Sequence, residues 1–312
     1  MTPSPTESPL DRLIAAVLRG VLRAILRPTF RAGLPFARQR RRLERIAALT
    51  LPARGVTCGP ASLGGVPGER VVMRGNATPA GAVLYLHGGA YCVGSPATHR
   101  SITTRIARLA RAQVFAADYR LAPEHPFPAA VEDAVAAYRG LITAGSSPDR
   151  IAFAGDSAGG GLALATALRA RALGLPQPAA LVLLSPWVDL GQPDRGPEPA
   201  GEVMLSLPWV NECARAYLDG KEAADPLASP IHGDLRGLPP TLVQVGTDEI
   251  LLQDSRRLQA ALALAAVEVT CEEYPRRWHV FQSNAGVLAD ADRALASVAR
   301  FILERWERPR PE

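Results

Sequence analysis

The chain has 312 residues, 47% of them hydrophobic, and 35 Lys and Arg against 30 Asp and Glu give a formal net charge of +5. This length can bury one large α/β core and a small accessory region. Lys221 is the only lysine, so the basic charge is almost entirely arginine. Aromatic residues are scarce and there is no long basic tail, so nucleic-acid binding is not expected.

Residues 1 to about 50 are basic and helical in pattern. From Leu13 to Leu26, apolar residues recur at helical spacing with arginines between them. Such an amphipathic helix is compatible with adsorption on a membrane surface and with packing as a lid over an active site. No apolar run reaches the roughly 18 residues of a membrane span, so stable membrane insertion is not expected.

Beyond this region, predicted strands alternate with predicted helices. The strands are short, nearly continuous apolar runs, as in a sheet that is buried on both faces. The alternation therefore predicts an α/β fold with a mostly parallel central sheet. Strands are predicted at 71–73, 83–86, 113–117, 151–154, 180–184, 241–245 and 267–270. Helices are predicted at 101–110, 129–140, 162–173, 207–218, 254–265 and 291–306.

A Gly-x-Ser-x-Gly motif follows one of these strands. Gly155–Gly159 reads Gly-Asp-Ser-Ala-Gly, and it lies between the strand 151–154 and a helix. A serine in this context sits on a sharp turn that presents its hydroxyl as a nucleophile. Ser157 is therefore the predicted catalytic nucleophile. Asp156, next to it on the turn, is expected to be structural.

A second glycine motif follows the strand 83–86. His87–Ala90 reads His-Gly-Gly-Ala, and its backbone can approach a ligand closely. Backbone N–H groups at such a site stabilise the negative charge that acyl transfer places on the substrate oxygen. The predicted oxyanion hole comprises Gly88, Gly89 and Ala90, together with Ala158 after the serine.

These motifs resemble the hormone-sensitive-lipase-like branch of the α/β-hydrolase family, and the serine motif resembles its Gly-Asp-Ser-Ala-Gly subgroup of microbial esterases. Further matches include Ser185–Trp187 and Asp225–Pro230. The resemblance implies an α/β-hydrolase fold with a helical cap that acts as a lid. It maps the oxyanion donors onto Gly89 and Ala90 and leaves Gly88 to the turn. The cap is assigned to 1–50 and 190–222, and the core to 51–189 and 223–312.

The catalytic set needs a base and an acid, which follow the serine in the order Ser, Asp or Glu, His in this fold. Only two histidines follow Ser157. His232 fits a surface loop, whereas His279 lies between the last predicted strand and the last helix, as in the family. The acid should follow the strand 241–245, where Asp248 is the choice. Glu249 is its nearest competitor and would otherwise be a favourable charge at a helix N-terminus.

The resemblance implies a serine carboxylesterase acting on short- to medium-chain acyl esters, without a metal or organic cofactor. An amidase, carbamate hydrolase or lactone hydrolase would use the same triad, and a catalytically silent small-molecule receptor would have lost part of it. Family members often dimerise, so a homodimer is possible. Four widely spaced cysteines and the lack of a recognisable secretory leader predict a cytoplasmic protein. Candidate substrate-pocket residues are Tyr91, Met204, Leu207 and Trp209.

Overall fold

An eight-stranded sheet forms the centre of the protein. The computed structural model describes residues 8–192 and 194–307, so residues 1–7 and Pro193 of the predicted cap lie outside the described residues. The spatial strand order is β1-β2-β4-β3-β5-β6-β7-β8. All neighbours from β4 to β8 are parallel, whereas β2 runs antiparallel to both β1 and β4. The strands are β1 (Val56–Leu63), β2 (Val66–Met73), β3 (Ala82–Leu86), β4 (Gln113–Ala117), β5 (Ile151–Asp156), β6 (Ala180–Leu184), β7 (Thr241–Gly246) and β8 (Val269–Tyr274).

Helices cover both faces of this sheet. Every residue of β3, β5, β6 and β7 is buried, as expected for strands with helices above and below. Two separate apolar clusters, one on each face, make up the core. The helices are α1 (Pro9–Leu26), α2 (Phe36–Ala47), α3 (Arg100–Leu109), α4 (Ala129–Thr143), α5 (Ala158–Ala172), α6 (Leu207–Leu218), α7 (Leu252–Leu264) and α8 (Ala289–Glu307).

The predicted fold class is confirmed, and most predicted elements lie within a few residues of the observed ones. The prediction omitted β1, which pairs only with β2 at one edge of the sheet. Its residues alternate between partly buried and exposed positions, and Gly59 and Pro60 interrupt the apolar pattern. An edge strand of this kind lacks the continuous apolar run that identified the central strands.

The two segments assigned to the cap contact each other. Phe30 packs on Trp209 with ring centroids 4.9 Å apart, and the Trp209 indole N–H donates to the Gln39 side chain over 2.8 Å. Arg27 forms an ion pair with Glu198 at 2.8 Å. These contacts join α1 and α2 to the segment that contains α6, and the division into cap and core stays a prediction. Among residues 8–192 and 194–307, no helix is both long and apolar enough to span a bilayer.

Candidate active site

Ser157 lies at the turn between β5 and α5. Its φ of 53° and ψ of −122° are a combination that L residues rarely adopt. Two backbone hydrogen bonds hold the turn: the Ser157 N–H donates to the Leu184 carbonyl at 2.8 Å, and the Trp187 N–H donates to the Ser157 carbonyl at 2.9 Å. Gly159 is required by close packing, because a Cβ there would lie 2.0 Å from the Leu86 carbonyl oxygen. The sharp turn predicted around the serine is therefore present.

The glycine loop after β3 faces the same cavity as Ser157. Gly89 has a φ of 118°, which favours glycine, and Ala90 has a φ of 52°. Across the described parts of the chain, the N–H groups of Gly89 and Ala90 have no hydrogen-bond acceptor. Ala158 is the first residue of α5, where a helix leaves its N–H groups without an intrahelical partner. Three backbone donors are thus available near the serine.

Gly88 differs from its neighbours in the loop. Its N–H donates to Asp156 Oδ1 at 3.1 Å, so the inclusion of Gly88 in the oxyanion hole is corrected. A Cβ at Gly88 would lie 2.2 Å from Asp156 Oδ2. The residue therefore serves to bring the loop against the serine turn, and the candidate oxyanion donors are Gly89, Ala90 and Ala158.

Asp156 anchors this loop through a buried polar network. Its carboxylate accepts a hydrogen bond of 2.5 Å from the Tyr85 hydroxyl and lies 3.3 Å from His99 Nε2. Burial alone would raise the pKa of Asp156, but the charge and hydrogen bond of His99 and the hydroxyl of Tyr85 outweigh it and lower that pKa. The carboxylate is therefore ionised at neutral pH, where it holds the Gly88 N–H strongly.

His87 braces the loop from the other side. Its Nδ1 lies 2.8 Å from the Gly88 carbonyl oxygen, and its ring stacks on Tyr119 with centroids 4.3 Å apart. Burial, assisted by the neighbouring His99, lowers the pKa of His87 to about 3. The imidazole is thus neutral in the physiological range and fits a structural role.

We expect Asp156→Asn to slow ester hydrolysis by about ten- to a hundredfold, because the loop carrying the oxyanion donors loses its charged anchor. The unfolding free energy should fall by about 3–5 kcal/mol, since one partner of a buried ion pair is removed. Steady-state kinetics and urea unfolding measure the two effects. Asp254→Asn, at another buried aspartate paired with Arg195, is the matched control and should lose stability without a comparable loss of kcat. Equal kcat losses in both variants would contradict the anchoring role.

His279 pairs with Glu249. Its Nδ1 lies 3.0 Å from Glu249 Oε2, and both side chains are almost fully buried. Burial favours the neutral imidazole, but the hydrogen bond and negative charge of Glu249 outweigh it and raise the pKa of His279. His279 also lines the cavity that contains Ser157. The pair has the arrangement of a general base held in orientation by a carboxylate.

The choice of Asp248 as the acid is corrected, because its side chain points away from His279. Its carboxylate forms an ion pair of 2.9 Å with Arg19 of α1 and remains about a quarter exposed. Both acids lie in the turn after β7, and consecutive residues of a turn direct their side chains to different sides. The exposed side faces α1, and the buried side faces His279.

The turn carrying Glu249 and the loop carrying His279 are joined directly. The Asp248 N–H donates to the Arg277 carbonyl at 2.9 Å, and the Arg276 N–H donates to Thr247 Oγ1 at 2.8 Å. On the far side of the histidine, the Val280 N–H donates to Ser185 Oγ at 3.3 Å. These bonds fix the acid and the base relative to each other through the backbone.

A cavity of about 140 Å³ lies above these residues. Of the predicted pocket residues, Met204 and Trp209 line it, whereas Tyr91 and Leu207 are not among its lining residues. Tyr91 instead stacks on Tyr217 with centroids 3.8 Å apart. The N-terminal region also contributes an apolar lining; it was predicted to act as a lid, but none of its residues was among the predicted pocket residues. That lining consists of Leu22, Leu26, Phe30, Leu43, Ile46 and Ala47.

His232 lies outside the site, as predicted. It does not line the cavity, its side chain is 41% exposed, and its Nε2 lies 3.4 Å from Asp189 Oδ1.

Within the described ranges, no three His, Cys, Asp or Glu side chains lie close enough together to hold a metal ion.

Comparison with known proteins identifies the family. Residues 83–283 match the family with the alpha/beta hydrolase fold. The chain belongs to the α/β-hydrolase family. An acetyl-hydrolase of Streptomyces hygroscopicus is 46% identical over 222 residues, which cover 70% of this chain and 74% of that protein. An esterase of Acinetobacter venetianus is 38% identical over 245 residues, which cover 78% and 80% of the two chains.

Solved structures place the protein within this α/β-hydrolase family. The crystal structure of an esterase from the bacterial hormone-sensitive lipase family has a TM-score of 0.87 and 38% identity, covering 97% of this chain and 100% of the other. The crystal structure of an esterase/lipase from an uncultured bacterium has a TM-score of 0.88 and 39% identity, covering 95% and 99%. The expected hormone-sensitive-lipase-like branch is confirmed.

Proposed function

We propose that this protein is a serine carboxylesterase that acts on short- to medium-chain acyl esters through Ser157, His279 and Glu249. Its class, carboxylic ester hydrolase, follows from the family and from relatives that are esterases and acetyl-hydrolases. The observation that carries the proposal is the convergence on one cavity of the strained Ser157, the His279–Glu249 pair and the unpaired N–H groups of Gly89 and Ala90.

The first half-reaction acylates the enzyme. His279, held by Glu249 through Nδ1, takes the hydroxyl proton of Ser157 as the serine oxygen attacks the ester carbonyl carbon. The carbonyl oxygen becomes an oxyanion, which the N–H groups of Gly89, Ala90 and Ala158 stabilise. The tetrahedral intermediate collapses, the C–O bond to the alcohol breaks, and His279 gives its proton to the departing alcohol.

The second half-reaction restores the serine. His279 removes a proton from water, which attacks the acyl carbonyl and forms a second oxyanion in the same position. The acid then leaves, and the proton returns from His279 to the oxygen of Ser157. Glu249 stays ionised through both steps and stabilises the imidazolium that forms twice.

Acyl-chain preference follows from the size of the cavity. About 140 Å³, enclosed by α1, α2 and Trp209, suits a short acyl group better than a long one. We expect p-nitrophenyl acetate and butyrate to be hydrolysed with at least about tenfold higher kcat/KM than the palmitate ester, because a 16-carbon chain would have to displace the lining helices. A rate series from acetate to palmitate measures this, and no activity on any ester would contradict the proposal.

A covalent probe tests the nucleophile separately. A dialkyl p-nitrophenyl phosphate should release one equivalent of nitrophenolate and leave a phosphoryl group on Ser157, which peptide mass spectrometry locates. Labelling without ester hydrolysis would point to the same triad with another substrate, and p-nitroanilides, carbamates and lactones would then be assayed. Absence of both labelling and hydrolysis would favour a small-molecule receptor.

Three narrower expectations belong with this proposal. Membership in the Gly-Asp-Ser-Ala-Gly subgroup is supported by the motif at Gly155–Gly159. A reducing, cytoplasmic location is supported by the four cysteines, which are free. Homodimer formation would use an exposed sheet edge, and β8 is the edge nearest the active-site acid. Gel filtration measures whether the protein is a dimer in solution.

A further inference from the structure

Helix α1 has one broad apolar face, and only part of it is covered. The inner face packs on the body: Ala15 and Leu26 are buried, and Leu22 and Leu26 line the active-site cavity. The outer face is open, with side chains between 40% and 64% exposed. A helix at the surface of a globular protein ordinarily turns its apolar stripe toward the core. The exposed stripe consists of Leu10, Leu13, Val17, Val21 and Ile25.

Positive charge is concentrated in the same N-terminal region. Residues 1–50 contain ten arginines against three acidic residues, a net +7, whereas the whole chain carries +5. The other 262 residues are therefore slightly negative. On α1 and α2, Arg12, Arg38, Arg41 and Arg45 are exposed, and within the described residues they form no ion pair. The exposed apolar stripe thus lies in a strongly basic part of the chain.

We propose that the outer face of α1, with the exposed arginines of α1 and α2, adsorbs on an anionic lipid surface. An in-plane helix with an apolar face and flanking arginines gains energy both from burying apolar area and from anionic headgroups. Adsorption does not require insertion across the bilayer, for which α1 carries too much charge. Because Leu22 and Leu26 belong to the same helix, adsorption places the active-site cavity beside the lipid.

A second copy of this chain is a weaker candidate for the open face. Pairing two such faces would bring together two segments of +7 each, and like charges at close range oppose association. An anionic surface instead neutralises these charges. The apolar stripe and the positive charge of residues 1–50 therefore favour the same occupant.

Vesicle co-sedimentation tests this surface. We expect the full-length protein to sediment with vesicles of phosphatidylcholine containing phosphatidylglycerol, much less with phosphatidylcholine alone, and to be released at about 0.5 M salt, where surface charges are screened. Sedimentation does not depend on catalysis, so it is independent of the proposed esterase function. No binding to either kind of vesicle would overturn the proposal.

Matched variants locate the binding face. The double variant Leu13→Asp, Val17→Asp should lower the vesicle partition coefficient about tenfold or more. One exposed leucine and one exposed valine are lost, and two negative charges are added. Leu264→Asp, at a leucine on α7 that is 90% exposed, makes the same kind of change away from the cap and should bind as wild type does. Wild type and both variants should hydrolyse a soluble acetate ester at the same rate, which shows that the variants are folded.

Two further outcomes would overturn the assignment to lipid. Equal loss of binding in Leu264→Asp would show a general effect of charge rather than a face. A concentration-dependent dimer in gel filtration that disappears in the Leu13→Asp, Val17→Asp variant, without vesicle binding by wild type, would assign the face to a second copy.

Discussion

Ser157→Ala is expected to lower kcat for p-nitrophenyl acetate by about five to six orders of magnitude, the scale of loss when a catalytic serine is removed from a triad. The oxygen that attacks the carbonyl is lost, and neither His279 nor the oxyanion donors can replace it. The rate of nitrophenolate release, followed in a continuous assay, measures the change in kcat. A residual rate of about a thousandfold over water would remain from the N–H groups of Gly89, Ala90 and Ala158.

A serine in the same cavity provides the matched control. Ser283 also lines the cavity, but its hydroxyl donates to the Val280 carbonyl at 2.9 Å, and its position in the loop after His279 gives it no strained turn. Ser283→Ala should keep kcat within a few-fold of wild type. A large loss in Ser283→Ala together with a small one in Ser157→Ala would reverse the assignment of the nucleophile.

Much of the fold was predictable because its signals are local. A strand buried on both faces is apolar at nearly every position, so short, nearly continuous apolar runs identified β4 and β6 at their observed bounds. The nucleophile turn was equally local, since glycine is needed where Gly159 approaches the Leu86 carbonyl. Edge strand β1 lacks such a signal because it is neither fully buried nor uniformly apolar.

The proposed acid, Glu249, could not be predicted in the same way, because its orientation depends on distant residues. Asp248 and Glu249 are adjacent in one turn, and nothing in their sequence separates them. What separates them is Arg19, which α1 brings to the outer side of the turn and which pairs with Asp248. Part of the lining of the cavity is likewise non-local, since it comes from α1 and α2 at the start of the chain.

Replacing each of the two acids by its amide gives the second large effect. We expect Glu249→Gln to lower kcat by about 10³- to 10⁴-fold, because an amide no longer holds the required tautomer of His279 or stabilises its protonated form. Asp248→Asn should stay within a few-fold of wild type and cost about 1 kcal/mol of stability or less, since the Arg19 pair is partly exposed. The two changes are isosteric and adjacent, so each controls for the other.

The pH profile of kcat/KM distinguishes a catalytic pairing from a structural one. In the proposed mechanism activity requires neutral His279, so it is present above the pKa of His279 and is lost as the pH falls through it. Glu249 holds that pKa above the ordinary 6.5, which places the acid limb of wild type above this value. In Glu249→Gln the negative charge is gone while burial remains, and the acid limb should therefore move to lower pH. An unshifted acid limb in Glu249→Gln, or a shift in Asp248→Asn alone, would indicate that Asp248 is the acid that acts on His279.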